Sequence, residues 1–554
     1  MTTATPRATG NGPLPYIVLA TAALVLSGDG ALYASSRVLG DHPTPGSPSA
    51  LVRALQTGYR PTAPVVVLAS ICLLLLLSVA FALVWRWTGR RKRGASTPAR
   101  WANRKDLASL IVGKDPRSRR GRIGLGQTDP GGRLLAAERT HSVCVLGPAG
   151  SGKTLSVIVP ALLEWPGPVV TTSVKTDVLD LTEARRRAVG PVLVYDPTGS
   201  TGRPSATWNP LAACTTWADA WQMASWLVDA AAPNGTDRAD FWTSQGRMLV
   251  APLLFAAGTG GRGMADVVRW VQVQEVDEVK DLLSDQGVAE ASNAFTACQK
   301  MPPNTRGSIY ATANSILEVF GDPTVVASAD GRAGGRRPRT MSATHGRFPI
   351  CRRRKRADRC DIDPAKLLDN RATLYLVSPV HAQVRLAPLI EALIMSIVRE
   401  AQNRSQAGKP CDPGLLLLLD EAGNVAPLRH LPAIASTGRG QGIQLVTAWQ
   451  DLGQIKHRYG QLASTVLTNH AGLLALRGIR DRETLDLLSF LLGDGEVDRT
   501  STTTQAGGGH STSVARQRER LAPADALRQL PVGSGLLIYG SLPPVKVRFK
   551  LDRG

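Results

Sequence analysis

Gly147-Pro148-Ala149-Gly150-Ser151-Gly152-Lys153-Thr154 matches G-x-x-x-x-G-K-[ST] at every fixed position. The residues before it, 141–146, are apolar and β-prone. Those after it, 155–163, continue as a helix until Trp165-Pro166-Gly167 stops them. Strand, glycine loop and helix form the setting in which this pattern binds a nucleoside triphosphate. The glycines let backbone N–H groups turn inward around phosphate oxygens, and the helix N-terminus adds positive potential there. Lys153 reaches the β- and γ-phosphates of ATP, and the Thr154 hydroxyl ligates Mg²⁺. The bland alternative is a glycine-rich turn that binds nothing, and the intact flanks argue against it.

A partner for this loop lies far downstream. Leu415 to Leu419 is an unbroken leucine run ending in Asp420-Glu421. Acidic residues often end strands, so the pair is weak alone and strong beside an intact phosphate loop. Asp420 is assigned to the Mg²⁺ shell, and Glu421 to orienting and deprotonating the attacking water. Next come a loop, a short helix over 431–437, Gly438-Arg439-Gly440 and a second apolar strand, 443–448, ending at Trp449-Gln450. Gln450 is then placed to sense the γ-phosphate. Arg439 has two readings, a solvated arginine or a finger in a neighbouring subunit's site, and its glycine-flanked setting favours the finger.

Further strands are expected at 169–172, 192–195, 373–377, 473–476 and 535–539, with helices between. That alternation predicts an α/β chain with a doubly wound, mostly parallel sheet and ligands at its carboxyl edge. From 208 to 320 the strand signal disappears, and five helices are expected over 218–232, 240–256, 264–274, 276–286 and 305–320. The domain expectation is therefore a nucleotide-binding domain over 95–207 and 321–554, interrupted by an all-helical insertion over 208–320.

Residues 1–94 read as a membrane anchor. Residues 63–85 carry no charge and reach about 34 Å as a helix, enough to span a bilayer. An earlier apolar stretch, about 14–35, is broken by Gly28-Asp29-Gly30. A cleaved signal peptide competes there, but only Arg7 supplies a basic N-terminal residue and a second span follows, so a retained helix is preferred. Arg86, Arg90, Arg91, Lys92 and Arg93 put the following segment on the cytoplasmic side. Both termini are then cytoplasmic.

The 65 Lys and Arg against 44 Asp and Glu leave a net charge of +21, which suits a polyanionic partner. Residues 332–359 concentrate eleven Lys or Arg against one Asp. This is either a solvated run or an arm on DNA phosphates, with Arg352, Arg353, Arg354, Lys355 and Arg356 as candidate contacts. Residues 500–513 are low in complexity and read as a mobile loop. Seven cysteines without close pairing or matching histidines indicate neither a disulfide framework nor a structural metal site.

Taken together, the chain resembles the coupling proteins of type IV secretion and conjugation, the TraG/TraD family of membrane-anchored ATPases. The resemblance rests on the two spans, the phosphate loop, Ser173-Val-Lys-Thr-Asp177, Tyr195-Asp-Pro197, Trp208-Asn-Pro-Leu211 and the helical insertion. It continues through Leu419-Asp-Glu-Ala-Gly423, Gly438-Arg-Gly-Gln-Gly442, Thr447-Ala-Trp-Gln450 and Tyr459-Gly460. It implies a RecA-like P-loop ATPase fold and a homo-hexameric ring around a channel, with ATP and Mg²⁺ as cofactors. Its implied partners are single-stranded DNA with bound relaxase, or an effector protein, and the membrane secretion channel. Arg439 falls where the family places a trans-acting arginine, and Gln450 where it places a glutamine. The chain ends soon after its last expected strand, so no long C-terminal substrate-docking tail is expected. An FtsK-like double-stranded DNA pump is the alternative; it would usually bring more spans and a C-terminal winged helix. No LSGGQ-like signature lies in the soluble part, and no His-Glu-x-x-His exists for a metalloprotease.

Overall fold

The computed structural model describes residues 98–113, 115–231, 237–330, 360–425, 428–504 and 510–549, with short pieces between 35 and 74. Contacts divide the chain into two compact units, 1–97 and 98–554. In the first, residues 63–71 are helical, and Val66, Val67, Ile71 and Leu74 are exposed. The rest of both expected spans lies outside the described residues. So do Arg352, Arg353, Arg354, Lys355 and Arg356.

The second unit is built on one sheet. Its strands are β1 (Gly124–Thr128), β2 (Leu134–Ala136), β3 (Val143–Leu146), β4 (Val169–Ser173), β5 (Val192–Tyr195), β6 (Thr373–Val377), β7 (Leu415–Leu419), β8 (Ile443–Trp449), β9 (Gly472–Leu476), β12 (Ser534–Tyr539) and β13 (Val545–Arg548), while β10 (Asp494–Thr504) and β11 (His510–Arg520) stand apart as a pair. Across the sheet the order is β2-β1-β13-β12-β9-β3-β8-β7-β4-β6-β5. From β9 to β5 every pairing is parallel; from β12 to β2 every pairing is antiparallel.

Each central strand is buried on both faces, which is why it reads as a continuous apolar run. Successive side chains divide between two cores. Cys144, Leu146, Leu415, Leu417 and Leu419 enter one, and Val143, Val145, Leu416 and Leu418 the other. The second core is closed by α1 (Val159–Glu164), which continues a π-helical turn at Thr154–Ile158, and by α2 (Asp177–Arg187). Arg186, on α2, is fully buried and fixes α1. Its guanidinium donates to the Leu162 and Trp165 carbonyls at the α1 C-terminus, to the Gly167 carbonyl and to Thr373 Oγ1 on β6. Burial brings its pKa down to about 10.

Between β5 and β6 no strand occurs among the described residues. Here lie α3 (Trp217–Ala231), α4 (Asp237–Thr259), α5 (Met264–Val273), α6 (Asp277–Gln286), α7 (Ala289–Gln299), α8 (Pro303–Ile316), α9 (Pro323–Ala329) and α10 (Pro364–Asp369). Helix α7 was not expected, and the helical run continues past 320. These helices share one continuous core with the first face of the sheet, through Trp226, Trp270, Phe295 and Phe320. The long helix α11 (Gln383–Gln406) is central to that core. Among the described residues only its stretch, Val380–Gln406, is long and apolar enough to cross a bilayer, and most of it is buried in the protein. It is a core helix.

The expectation of a loop over 500–513 is corrected. Residues 500–504 and 510–513 belong to β10 and β11, which pair in register from Asp494↔Arg520 to Thr504↔His510. The Thr- and Ser-rich run has β propensity but no apolar alternation from which a strand could be read.

Candidate nucleotide site at the carboxyl edge of the sheet

The phosphate loop leaves the carboxyl end of β3, and Asp420-Glu421 leaves that of β7. Strand β8 lies between them, so Gln450 emerges between loop and carboxylates. Gly150 and Gly152 take φ of +76° and +91°, conformations that side chains with a Cβ resist. Lys153 is buried, and its Nζ donates to the carbonyls of Gly147 (2.6 Å) and Pro148 (3.2 Å). Ser151 Oγ in the same loop is buried without a hydrogen-bond partner among the described residues.

Thr154 Oγ1 donates to Asp420 Oδ2 at 3.2 Å, and Thr172 Oγ1 on β4 fixes the Asp420 carbonyl at 2.8 Å. Burial first, and the Glu421 charge second, push the Asp420 carboxyl up to about 6. Burial also lowers the Lys153 pKa, against the opposing pull of Glu421 and then Asp420. For both groups desolvation outweighs their mutual attraction. The pocket therefore concentrates charge that phosphate and a divalent cation would satisfy. Thr154 and Asp420 are hard oxygen donors suited to Mg²⁺, which takes its remaining ligands from phosphate and water. Among the described residues no group of three or more His, Cys, Asp or Glu forms a separate metal cluster.

Glu421 adopts φ of +51°, an uncommon conformation outside glycine. Its Oε2 accepts from Gln450 Nε2 (3.3 Å) and Asn424 Nδ2 (3.2 Å). Gln454 extends this frame, donating to Asn424 Oδ1 (3.3 Å) and accepting from the Gln450 backbone N–H (3.1 Å). A Cβ on Gly423 would come within 2.5 Å of the Gln454 side chain, so a larger residue there would push Gln454 out of this frame. Sequence reasoning missed Thr172, Asn424 and Gln454. Only Asn424, three residues past Glu421, carried a local signal.

Arg439 is elsewhere. It is exposed on the turn Gly438–Gln441 that enters β8 at its amino end. Burial first and the Arg439 charge second hold His141, just before β3, below its ordinary pKa. Strand β8 runs parallel to β3, with Val143↔Val446 and Leu146↔Trp449. Seven residues at about 3.3 Å each put its two ends roughly 23 Å apart. Arg439 therefore lies at the opposite sheet edge from its own phosphate loop and cannot reach it.

Fold and site together define a P-loop nucleotide-binding protein. Residues 100–330 match the family description "Type IV secretory system Conjugative DNA transfer", and 414–532 match "TraM recognition site of TraD and TraG". The conjugal transfer protein TraG of Escherichia coli is 25% identical over 494 residues, covering 80% of this chain and 72% of that protein. VirD4 of Agrobacterium fabrum is 25% identical over 440 residues, covering 76% and 59%. Among solved structures, the plasmid coupling protein TrwB in complex with ADP and Mg²⁺ superposes with a TM-score of 0.56 at 20% identity, over 83% of this chain and 97% of that one. The chain belongs to the TraG/VirD4 family of conjugative coupling proteins.

Proposed function

We propose that this chain is a membrane-anchored, ATP-driven coupling protein. It brings single-stranded DNA with its bound relaxase, or an effector protein, to a type IV secretion channel, and works as a homo-hexamer. The observation that carries the reading is the convergence of Lys153, Thr154, Asp420, Glu421 and Gln450 on one sheet edge, within a chain of this family. The named relatives are conjugal transfer proteins, which favours transfer over an FtsK-like pump. The deciding experiment deletes the gene and scores mobilisation of a plasmid. Wild type restores transfer and Lys153→Ala does not; restoration by Lys153→Ala overturns the reading.

In this reading Lys153 and the loop N–H groups hold the β- and γ-phosphates, and Thr154 and Asp420 hold Mg²⁺, which neutralises phosphate charge. Glu421, steadied by Gln450 and Asn424, accepts a proton from the attacking water. Glu421→Gln is expected to bind ATP with near-normal affinity and to hydrolyse it at least about 10²-fold more slowly. Wild-type turnover in the purified variant would remove Glu421 from the role of base.

The loop that leaves Glu421 also reaches the helical insertion. His430 Nδ1 and its backbone N–H meet Glu391 Oε1 on α11 at 2.9 and 3.3 Å. Its Nε2 lies 3.8 Å from Asp229 on α3, which Arg247 on α4 holds at 2.6 Å. The hydrogen bond to Glu391 leads in raising the His430 pKa, so the cationic clasp is complete below pH 6.5 and loosens as pH rises through the raised value. Arg429 and Arg458 also face this cluster. His430→Ala is expected to keep basal ATP turnover within about twofold and to lose most of its stimulation by DNA. Wild-type stimulation should fall as pH rises, and the variant's should not change. Equal DNA stimulation in both proteins would break the link.

For the basic stretch, neutralising Arg352, Arg353, Arg354, Lys355 and Arg356 should weaken single-stranded DNA binding and flatten the slope of log affinity against log salt. Each DNA phosphate no longer neutralised by a side chain should change that slope by about 0.7. An unchanged slope would mark the run as solvated surface.

A further inference from the structure

At the antiparallel edge of the sheet, well removed from the phosphate loop, a cavity of about 360 Å³ opens between the segment from Trp101 to Ile111 and strands β1 and β13. Trp101, Arg104, Arg133 and Lys546 line it. Lys546 Nζ stands 4.8 Å from the centroid of the Trp101 ring. The carboxylate on its wall, Asp129, is held by Arg548 at 3.2 Å. Neither Arg104 nor Arg133 pairs with a carboxylate among the described residues. The cavity is thus a half-open cup with one indole and three cations that pair with no carboxylate among the described residues.

We propose that this cup holds the phosphodiester headgroup of an anionic phospholipid in the cytoplasmic leaflet, an inference that rests on the membrane anchoring proposed above. Three observations point there. The first is reach: Trp101 is only 16 residues past Trp85, the end of the expected second span. Fully extended, that segment spans at most about 55 Å, and Arg86, Arg90, Arg91, Lys92 and Arg93 within it are drawn to the same anionic surface. The second is chemistry. Arginine and lysine heads around a cavity of headgroup size suit a phosphodiester, and an indole beside them is the usual companion at a membrane interface. The third separates lipid from nucleic acid. One face of Trp101 is taken by Lys546, and the ring packs against the protein core. The open aromatic platform on which single-stranded bases stack is therefore missing.

The test uses the detergent-solubilised full chain titrated with dihexanoyl phosphatidylglycerol, dihexanoyl phosphatidylcholine, inorganic phosphate and an oligodeoxythymidine. Saturable binding of phosphatidylglycerol is expected, with little binding of phosphatidylcholine or phosphate. Arg104→Gln, Arg133→Gln and Lys546→Gln combined should weaken phosphatidylglycerol binding roughly a hundredfold, since each cation near an anionic lipid contributes about a factor of five. Lys546→Arg alone, which keeps the charge, should bind as wild type does. Arg482→Gln, an exposed charge outside the cavity lining, should have no effect. The proposal falls if the triple variant, shown by its melting curve to be folded, binds phosphatidylglycerol normally. It also falls if phosphate alone binds equally well, or if the triple variant loses oligodeoxythymidine binding and keeps lipid binding. Alkaline carbonate extraction of the full chain from membranes tests the anchor separately. Release there would refute anchoring whatever the titration shows.

Discussion

Arg439→Ala is expected to lower ATP turnover by about 10³-fold or more while changing ATP affinity little. Arg439 sits at the amino end of β8 and its own phosphate loop beyond the carboxyl end of β3, so the loss cannot come from its own site. An arginine finger acts on charge that develops only in the transition state, which is why affinity should survive. Mixing the variant with Lys153→Ala makes the prediction specific to a ring. Each Lys153→Ala subunit brings an intact Arg439 to a neighbour whose loop is intact, so in randomly mixed heterologous rings about a quarter of the sites should recover. No recovery in subunits shown to co-assemble would make Arg439 an ordinary surface arginine.

Asp420→Asn should have two opposite effects. The carboxyl titrates near 6 in the folded chain and near 3.8 when unfolded. Protonated Asp420 thus favours the fold at low pH, and that contribution disappears as pH rises through about 6. At pH 7.5 the buried, ionised carboxylate costs the nucleotide-free protein about 3 kcal/mol. The amide keeps the Thr154 acceptor and removes the charge. The variant should therefore melt a few degrees higher than wild type at pH 7.5, with the difference vanishing by pH 4. Magnesium-dependent hydrolysis should fall by at least about 10²-fold, because the proposed Mg²⁺ site would lose its anionic ligand. A variant no more stable than wild type at pH 7.5 would mean that Asp420 is not held ionised against its surroundings.

The parallel half of the sheet was legible because its strands are buried on both faces and end in chemistry: 141–146 before the glycine loop, 415–419 before Asp420, 443–448 before Gln450. The antiparallel half was only partly legible. β12 showed itself, but β1 is Gly-Leu-Gly-Gln-Thr, half-buried with one fully buried residue, and β2 is three residues long. Helix α7 buries only Ala291, Phe295 and Cys298, too thin an apolar stripe to recognise among alanines. In the site, the phosphate-loop and carboxylate residues could be read because their spacing is local. Thr172, Gln454, His430 and Glu391 could not, since each matters only through a neighbour brought close by the sheet order.

Strand β8 also bears on timing. All seven of its residues are buried, and it is hydrogen-bonded on both sides, to β3 and to β7. One end leads to the glutamine that touches Glu421, and the other starts at the turn carrying Arg439. No hinge separates them. In the proposed hexamer, the strut that registers one subunit's hydrolysis also aims the arginine offered to the next. A ring wired in this way makes each subunit's turnover depend on its neighbour's arginine instead of letting each subunit keep its own rhythm.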